Sequence, residues 1–142
     1  MSQSFQRTRR VEFRDTDMAG IVHFSVFFAY MEETEHEFLR SLGMGVIYEV
    51  DGQTISWPRV RAECNYRNAI RFEEEIDIEI RVQRIGTKSV TYAFQFSRDG
   101  APVADGITTV VCCNYDHQLA AKPESVPIPQ AVIEKLSPYA QS

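Results

Sequence analysis

Two acids two residues apart, Asp15 and Asp17, sit in the stretch Arg14-Asp15-Thr16-Asp17-Met18-Ala19-Gly20-Ile21-Val22-His23-Phe24, which runs directly into an amphipathic helical pattern. Gly20 permits a turn between the acids and the start of that helix. N–H groups in the first turn of a helix lack an intrahelical partner and carry the positive end of the helix dipole, so they can receive a developing negative charge. A carboxylate held beside them has a simple use: action on a carbonyl whose oxygen becomes an oxyanion, the chemistry of acyl transfer. The same acids also suit a purely structural role, because Asp side chains routinely bond the amides of turns and helix starts. The residues alone leave both readings open.

The elements that must position these groups follow from hydrophobic spacing. An apolar-rich strand is predicted over Phe5 to Phe13. From Phe24 to Leu42, the residues Phe24, Phe27, Phe28, Met31, Phe38, Leu39 and Leu42 recur at three- and four-residue steps, with Gly43 placed as a stop, which predicts one long helix. Burying each large side chain contributes roughly 1.5–3 kcal/mol, so this helix belongs to the core and needs a sheet to cover. Ile76, Ile78, Ile80 and Val82 alternate with polar residues, as do Val90, Tyr92, Phe94 and Phe96, with Ile85-Gly86-Thr87-Lys88 as the turn of a hairpin. Val60 to Tyr66 and Val103 to Tyr115 add two more strands, the latter after the turn Arg98-Asp99-Gly100. Pro123, Pro127 and Pro129 predict an extended surface segment, and Ala131 to Tyr139 a short last helix. The expected layout is strand, long helix, then four strands: an α+β domain with an antiparallel five-stranded sheet wrapped around the helix.

At 142 residues and 44% hydrophobic content, the chain 1–142 reads as one domain. No apolar run approaches a membrane span, and Met1 to Arg7 has no apolar centre of the signal-peptide kind, so a cytoplasmic location is expected. A formal charge of −5 argues against general nucleic-acid binding. Cys64, Cys112 and Cys113 suggest no disulfide framework, with Cys112 and Cys113 expected on opposite faces if they share a strand. His23, His36 and His117 show no ligand spacing, so no metal is expected. Open sheet edges make a homodimer the default.

The run Val11 to Phe24, with its D-x-D-x-x-G-[IV]-V pattern, and its continuation Phe28-Ala29-Tyr30-Met31-Glu32-Glu33-Thr34-Glu35-His36-Glu37-Phe38-Leu39-Arg40 resemble the hotdog-fold acyl-CoA thioesterases, in the branch of 4-hydroxybenzoyl-CoA thioesterase and its bacterial short-chain acyl-CoA relatives. The resemblance implies hydrolysis of a short-chain or aromatic acyl-CoA to free acid and coenzyme A. Asp17 is then the catalytic carboxylate, as nucleophile or as base for water, and the thioester oxygen meets backbone around His23 and Phe24. It implies no cofactor, coenzyme A being part of the substrate, and a homodimer or homotetramer with sites at subunit interfaces. Gly20 shapes the site turn, Trp57 stands where relatives line the acyl pocket, and Lys88 resembles a basic position used for the nucleotide end. Arg59, Arg61, Arg67 and Arg71 are weaker candidates, more often solvated surface charges. Many relatives carry an aromatic residue where His23 stands and His or Tyr where Phe24 stands, so His23 reads equally as a pocket residue or as a partly buried histidine bonded to backbone.

Glu33 and Glu37 fall on the solvated face of the predicted helix, whereas Glu35 falls beside Phe28, Met31, Phe38 and Leu42. That residue is either buried and paired or reaches the partner's site. Two other functions fit such a fold: hydration and dehydration of acyl thioesters, for which His23 with Glu35 or Asp17 could serve as the pair, and non-catalytic acyl-CoA binding.

Overall fold

Two-residue alternation builds the sheet. In the computed structural model, which describes residues 2–141, Ile76, Ile78, Ile80 and Val82 are buried along β5 (Glu75–Ile85), and Val90, Tyr92, Phe94 and Phe96 along β6 (Ser89–Arg98). With β1 (Phe5–Arg10), β4 (Arg59–Tyr66) and β7 (Ala101–Val111) they form an antiparallel five-stranded sheet in the order β1-β5-β6-β7-β4. The first strand ends three residues earlier than expected, because Phe13–Asp15 coil into a single 3-10 turn.

The long helix, α1 (Val26–Ser41), begins two residues later than the periodicity suggests. The His23 carbonyl accepts the Val26 N–H at 2.9 Å, closing a turn that leaves Phe24 outside the helix and 63% exposed. At the other end Gly43, at φ 76°, ends the helix. The Gly43 and Met44 N–H groups return to the Arg40 and Leu39 carbonyls at 3.0 and 2.9 Å, satisfying two terminal acceptors. The buried stripe of α1 includes Phe27, Tyr30, Met31, Phe38 and Leu39. Its tightest seat is Gly106 on β7, where a Cβ would lie 2.5 Å from the Met31 sulfur and 3.1 Å from the Glu63 carbonyl oxygen.

Between α1 and β4 the chain makes a hairpin absent from the expected layout. β2 (Ile47–Val50) and β3 (Gln53–Ser56) are joined through Asp51 and Gly52, both at positive φ, and pair with β8 (Cys113–Asn114) as a separate three-stranded sheet. The last expected strand is therefore split at Cys112. The break lets Cys112 and Cys113 both turn inward, at 0% and 8% exposure, where an unbroken strand would have placed them on opposite faces. The proline-rich segment is not wholly at the surface, since Ile128 is buried and its N–H bonds the Thr87 carbonyl at 2.9 Å. α2 (Gln130–Leu136) follows, burying Val132 and Leu136. No described helix is long and apolar enough to cross a membrane.

Glu35 is buried and paired: it is 1% exposed and accepts from Arg59 Nη2 at 2.8 Å. Glu33, expected to be solvated, bonds Arg7 and Arg9 of β1 at 3.0 and 2.9 Å, while Glu37 meets Arg7 at 2.8 Å. These pairs tie the outer flank of α1 to the edge strand.

Gly106→Ala is expected to cost about 1–3 kcal/mol, because Met31 and the β4 backbone must both give way. Urea unfolding at matched slope checks this, and unchanged stability would show that the helix seat is loose. Glu35→Ala, which leaves Arg59 without its buried partner, is expected to cost about 3 kcal/mol, whereas Glu35→Leu with Arg59→Met restores most of the loss. Burial holds the Glu35 carboxyl above its ordinary 4.5, with Arg59 only partly offsetting it. The native state then binds this proton more tightly than the unfolded chain, so its contribution to stability is present below pH 4.5 and fades as pH rises through the raised value. In pH-dependent unfolding, Glu35→Gln should flatten that decline.

Candidate active site

The D-x-D stretch folds as a closed loop pinned at its neck. Thr16 and Val22 bridge across it, the Asp17 N–H bonds the Ile21 carbonyl at 3.0 Å, and the Gly20 N–H returns to the Asp17 carbonyl at 2.9 Å. Gly20 makes this possible at φ 79°, a backbone conformation that side chains with a Cβ rarely adopt. The far side of the loop is held by Ile21 pairing with Arg71 and by the Val22 N–H donating to the Ile70 carbonyl at 2.8 Å.

The two acids separate in their surroundings. The Asp15 carboxylate is buried and takes the structural role, accepting the Glu12 N–H at 2.9 Å and the Tyr30 hydroxyl at 2.8 Å. Asp17 is only half-buried: its Oδ1 accepts the Ala19 N–H at 2.9 Å, and the residue lines open space on two sides. One is an apolar cavity of about 370 Å³ walled by Ile21, Val22, Phe24, Phe27, Tyr66 and Ile70, with Arg67 and Asn68 as polar members. The other is a shallower cleft of about 500 Å³ between Phe13, Met18, Gly20 and Phe72. Asp17 is common to both.

Phe24 and Phe27, on either side of the start of α1 at Val26, both line the cavity that Asp17 lines. Tyr66 crosses from β4 to donate to the Phe24 carbonyl at 2.7 Å and packs edge-on against Phe27. Burial pushes its phenol up to about 12, so it stays a neutral donor.

His23 does not line the cavity. Its Nδ1 accepts the Ser25 N–H at 3.2 Å and lies 2.7 Å from the Ser25 hydroxyl, which assigns the ring proton to Nε2, and the ring stacks on Phe24. Among the arginines, Arg67 reaches the cavity wall with its guanidinium committed to Asp105, and Arg71 lies 3.5 Å from the Gly20 carbonyl. Arg59 and Arg61 are held by Glu35 and Glu63.

Trp57 and Lys88 lie at the opposite end of the sheet from Tyr66. Trp57 precedes β4 and is 7% exposed within the core, and the Lys88 carbonyl bonds the Cys112 N–H at 2.6 Å while its side chain is exposed. Neither lines the cavity of its own chain. Tyr66, Asn68 and Ile70 are members to which the motif gives no pointer, since they stand about fifty residues downstream of Asp17 and no local spacing links them to it.

A family model described as the thioesterase-like superfamily matches residues 11–136. A 1,4-dihydroxy-2-naphthoyl-CoA hydrolase of Prochlorococcus marinus (strain NATL1A) is 31% identical over 103 residues, covering 67% of this chain and 68% of its own. The structure of a gentisyl-coenzyme A thioesterase superposes with a TM-score of 0.76 at 29% identity, over 90% of this chain and 98% of that one. That of 4-hydroxybenzoyl CoA thioesterase in complex with 4-hydroxybenzoyl CoA does so with a TM-score of 0.79 at 16% identity, over 95% and 99%, a likeness of fold. A match running from the end of β1 to the end of α2, on a sheet wrapped around one long helix, has a single meaning: the chain belongs to the thioesterase-like superfamily and has the hotdog fold.

Proposed function

We propose that this chain is a cytoplasmic acyl-CoA thioesterase that hydrolyses a short-chain or aromatic acyl-CoA, with Asp17 as its catalytic carboxylate. The observation that carries the reading is the position of Asp17 at the junction of two cavities, beside the start of α1. A thioester carbonyl has two diverging arms. The cavity walled by Phe24, Phe27 and Tyr66 suits the acyl arm, the cleft on the other side of Asp17 suits the pantetheine arm, and the carbonyl falls between them at the carboxylate. Related proteins named for naphthoyl-CoA and gentisyl-CoA hydrolysis support an acyl-CoA substrate. Three free cysteines suit a reducing compartment.

In the proposed reaction Asp17 either attacks the carbonyl, giving an acyl anhydride that water opens, or removes a proton from the attacking water. Negative charge grows on the carbonyl oxygen, and the backbone at the start of α1 around Phe24 stabilises it. The thiolate of coenzyme A leaves with the electron pair of the broken C–S bond and needs no metal or cofactor.

The site is completed, in this reading, by a second copy. β4 is an unpaired edge with Val60, Ala62 and Tyr66 exposed. Two-fold antiparallel pairing along it would set the start of the partner's β4 beside the end that carries Tyr66, bringing the partner's Trp57 and the partner's Lys88 toward the cavity. Lys88 there meets the phosphates of coenzyme A. The hydratase reading loses one of its two pairs, because Glu35 is bonded to Arg59, which leaves it His23 with Asp17, the His23 Nδ1 being held at Ser25.

Thiol release from a panel of aromatic and aliphatic acyl-CoAs should fall at least about 100-fold in Asp17→Asn with the fold intact, the range expected for losing a catalytic base. Unchanged release would remove Asp17 from the chemistry. Lys88→Ala should raise KM for acyl-CoA about tenfold with kcat retained, matching one lost charge-assisted contact. Sedimentation should find a dimer or tetramer, and a fully active monomer would overturn the shared site.

A further inference from the structure

Asp15 lies two residues before Asp17, yet its carboxylate points away from both cavities and into the protein, and nothing in the proposed reaction uses it. Its bonds gather three separate pieces of chain. Through Oδ2 it accepts the Glu12 N–H, before the loop, and the Tyr30 hydroxyl, in the second turn of α1, with Arg9 Nη1 of β1 at 3.4 Å. Its carbonyl accepts the His23 N–H at 2.9 Å, after the loop. The mouth of the Asp17 loop is therefore closed onto the helix by one residue.

We infer that Asp15 and Tyr30, braced by Arg9, are positioning residues that set the Asp17 carboxylate against the start of α1. This rests on the reading of Asp17 as catalytic. Within the loop the short bonds from Thr16 to Val22 make Asp17 rigid with respect to its own neck, so its remaining freedom is the tilt of the loop relative to the helix. The Tyr30 hydroxyl is the bond that fixes this tilt, because Tyr30 is fully buried and is itself part of the helix whose first turn faces the substrate carbonyl. Arg9 supports it twice: its guanidinium sits 4.9 Å from the centre of the Tyr30 ring, and its Nε bonds Glu33 one turn further along. Burial and the bond to Asp15 raise the Tyr30 phenol well above its ordinary range, so it stays a neutral donor wherever the carboxylate is ionised. Small misplacements of a reacting group cost far more in rate than in binding.

Tyr30→Phe keeps the ring and its contact with Arg9 and removes only the donated bond. Steady-state kinetics on the best acyl-CoA of the panel should show kcat reduced about tenfold or more per folded molecule, with KM within about twofold, since the cavity walls are untouched. Asp15→Ala should lose at least as much, and Asp15→Asn, which keeps an acceptor for Tyr30, should recover most of it. Glu35→Gln, a buried change further along the same helix and away from the loop, serves as the control for stability alone: the pH dependence of its unfolding flattens while kcat per folded molecule stays. If Tyr30→Phe retains kcat within twofold, or raises KM instead, while Asp17→Asn is inactive, the positioning role is overturned and the reading of Asp17 stands. If Asp17→Asn is fully active, that reading fails and the positioning role falls with it.

Discussion

The seating of α1 on the inner face of the sheet is the constraint on which the other features depend. Five strands present a continuous apolar surface that water would otherwise meet, and one helical stripe has to cover it. Coverage is close because Gly106 offers no side chain under Met31, so the backbones of helix and sheet approach within the reach of a thioether. Once the helix is fixed at this depth, the place where it begins is fixed as well, and its first turn becomes one wall of the cavity beside Asp17. The site is thus a by-product of core packing at one end of the helix and of a rigid loop at its entrance.

How much of this is legible in the amino-acid order depends on whether the signal is local. The β5–β6 hairpin is plain because alternation sustained along two whole strands arises almost only where one face is buried and the other is wet, and Gly43 marks the helix end because a left-handed residue there is nearly always glycine. The helix start is misplaced by spacing alone because Phe24 keeps the rhythm of Phe27 and Phe28, while the turn from His23 to Val26, which lifts it out, depends on backbone bonds that periodicity does not encode. The β2–β3 hairpin carries its own signal in Asp51-Gly52, but each strand has only four residues and little alternation. Cys112 and Cys113 defeat the two-face expectation because a strand break has no side-chain signature.

The site divides along the same line. The acids and the glycine are legible because they are contiguous, and the helix is legible to within two residues of its start. Tyr66, Asn68 and Ile70 are not, because a cavity wall assembled from β4 and the segment after it is a property of the sheet's register. Nor do residue types distinguish Asp15 from Asp17, a choice made only by the resemblance of the motif: both are turn-forming acids, and in the structure one meets Tyr30 and the other open space.

The two edges of the large sheet differ in a way that bears on the size of any assembly. β1 is six residues long and turns Arg7 and Arg9 inward toward the acids of α1, so its free backbone groups are flanked by charges already committed elsewhere. β4 at the other edge leaves Val60 and Ala62 exposed. Strand addition at β4 consumes the receptive edge of both participants and leaves each end of the joined sheet capped by an unreceptive β1. Growth by this route would be self-terminating after one step, giving a paired sheet and not a seed for fibres.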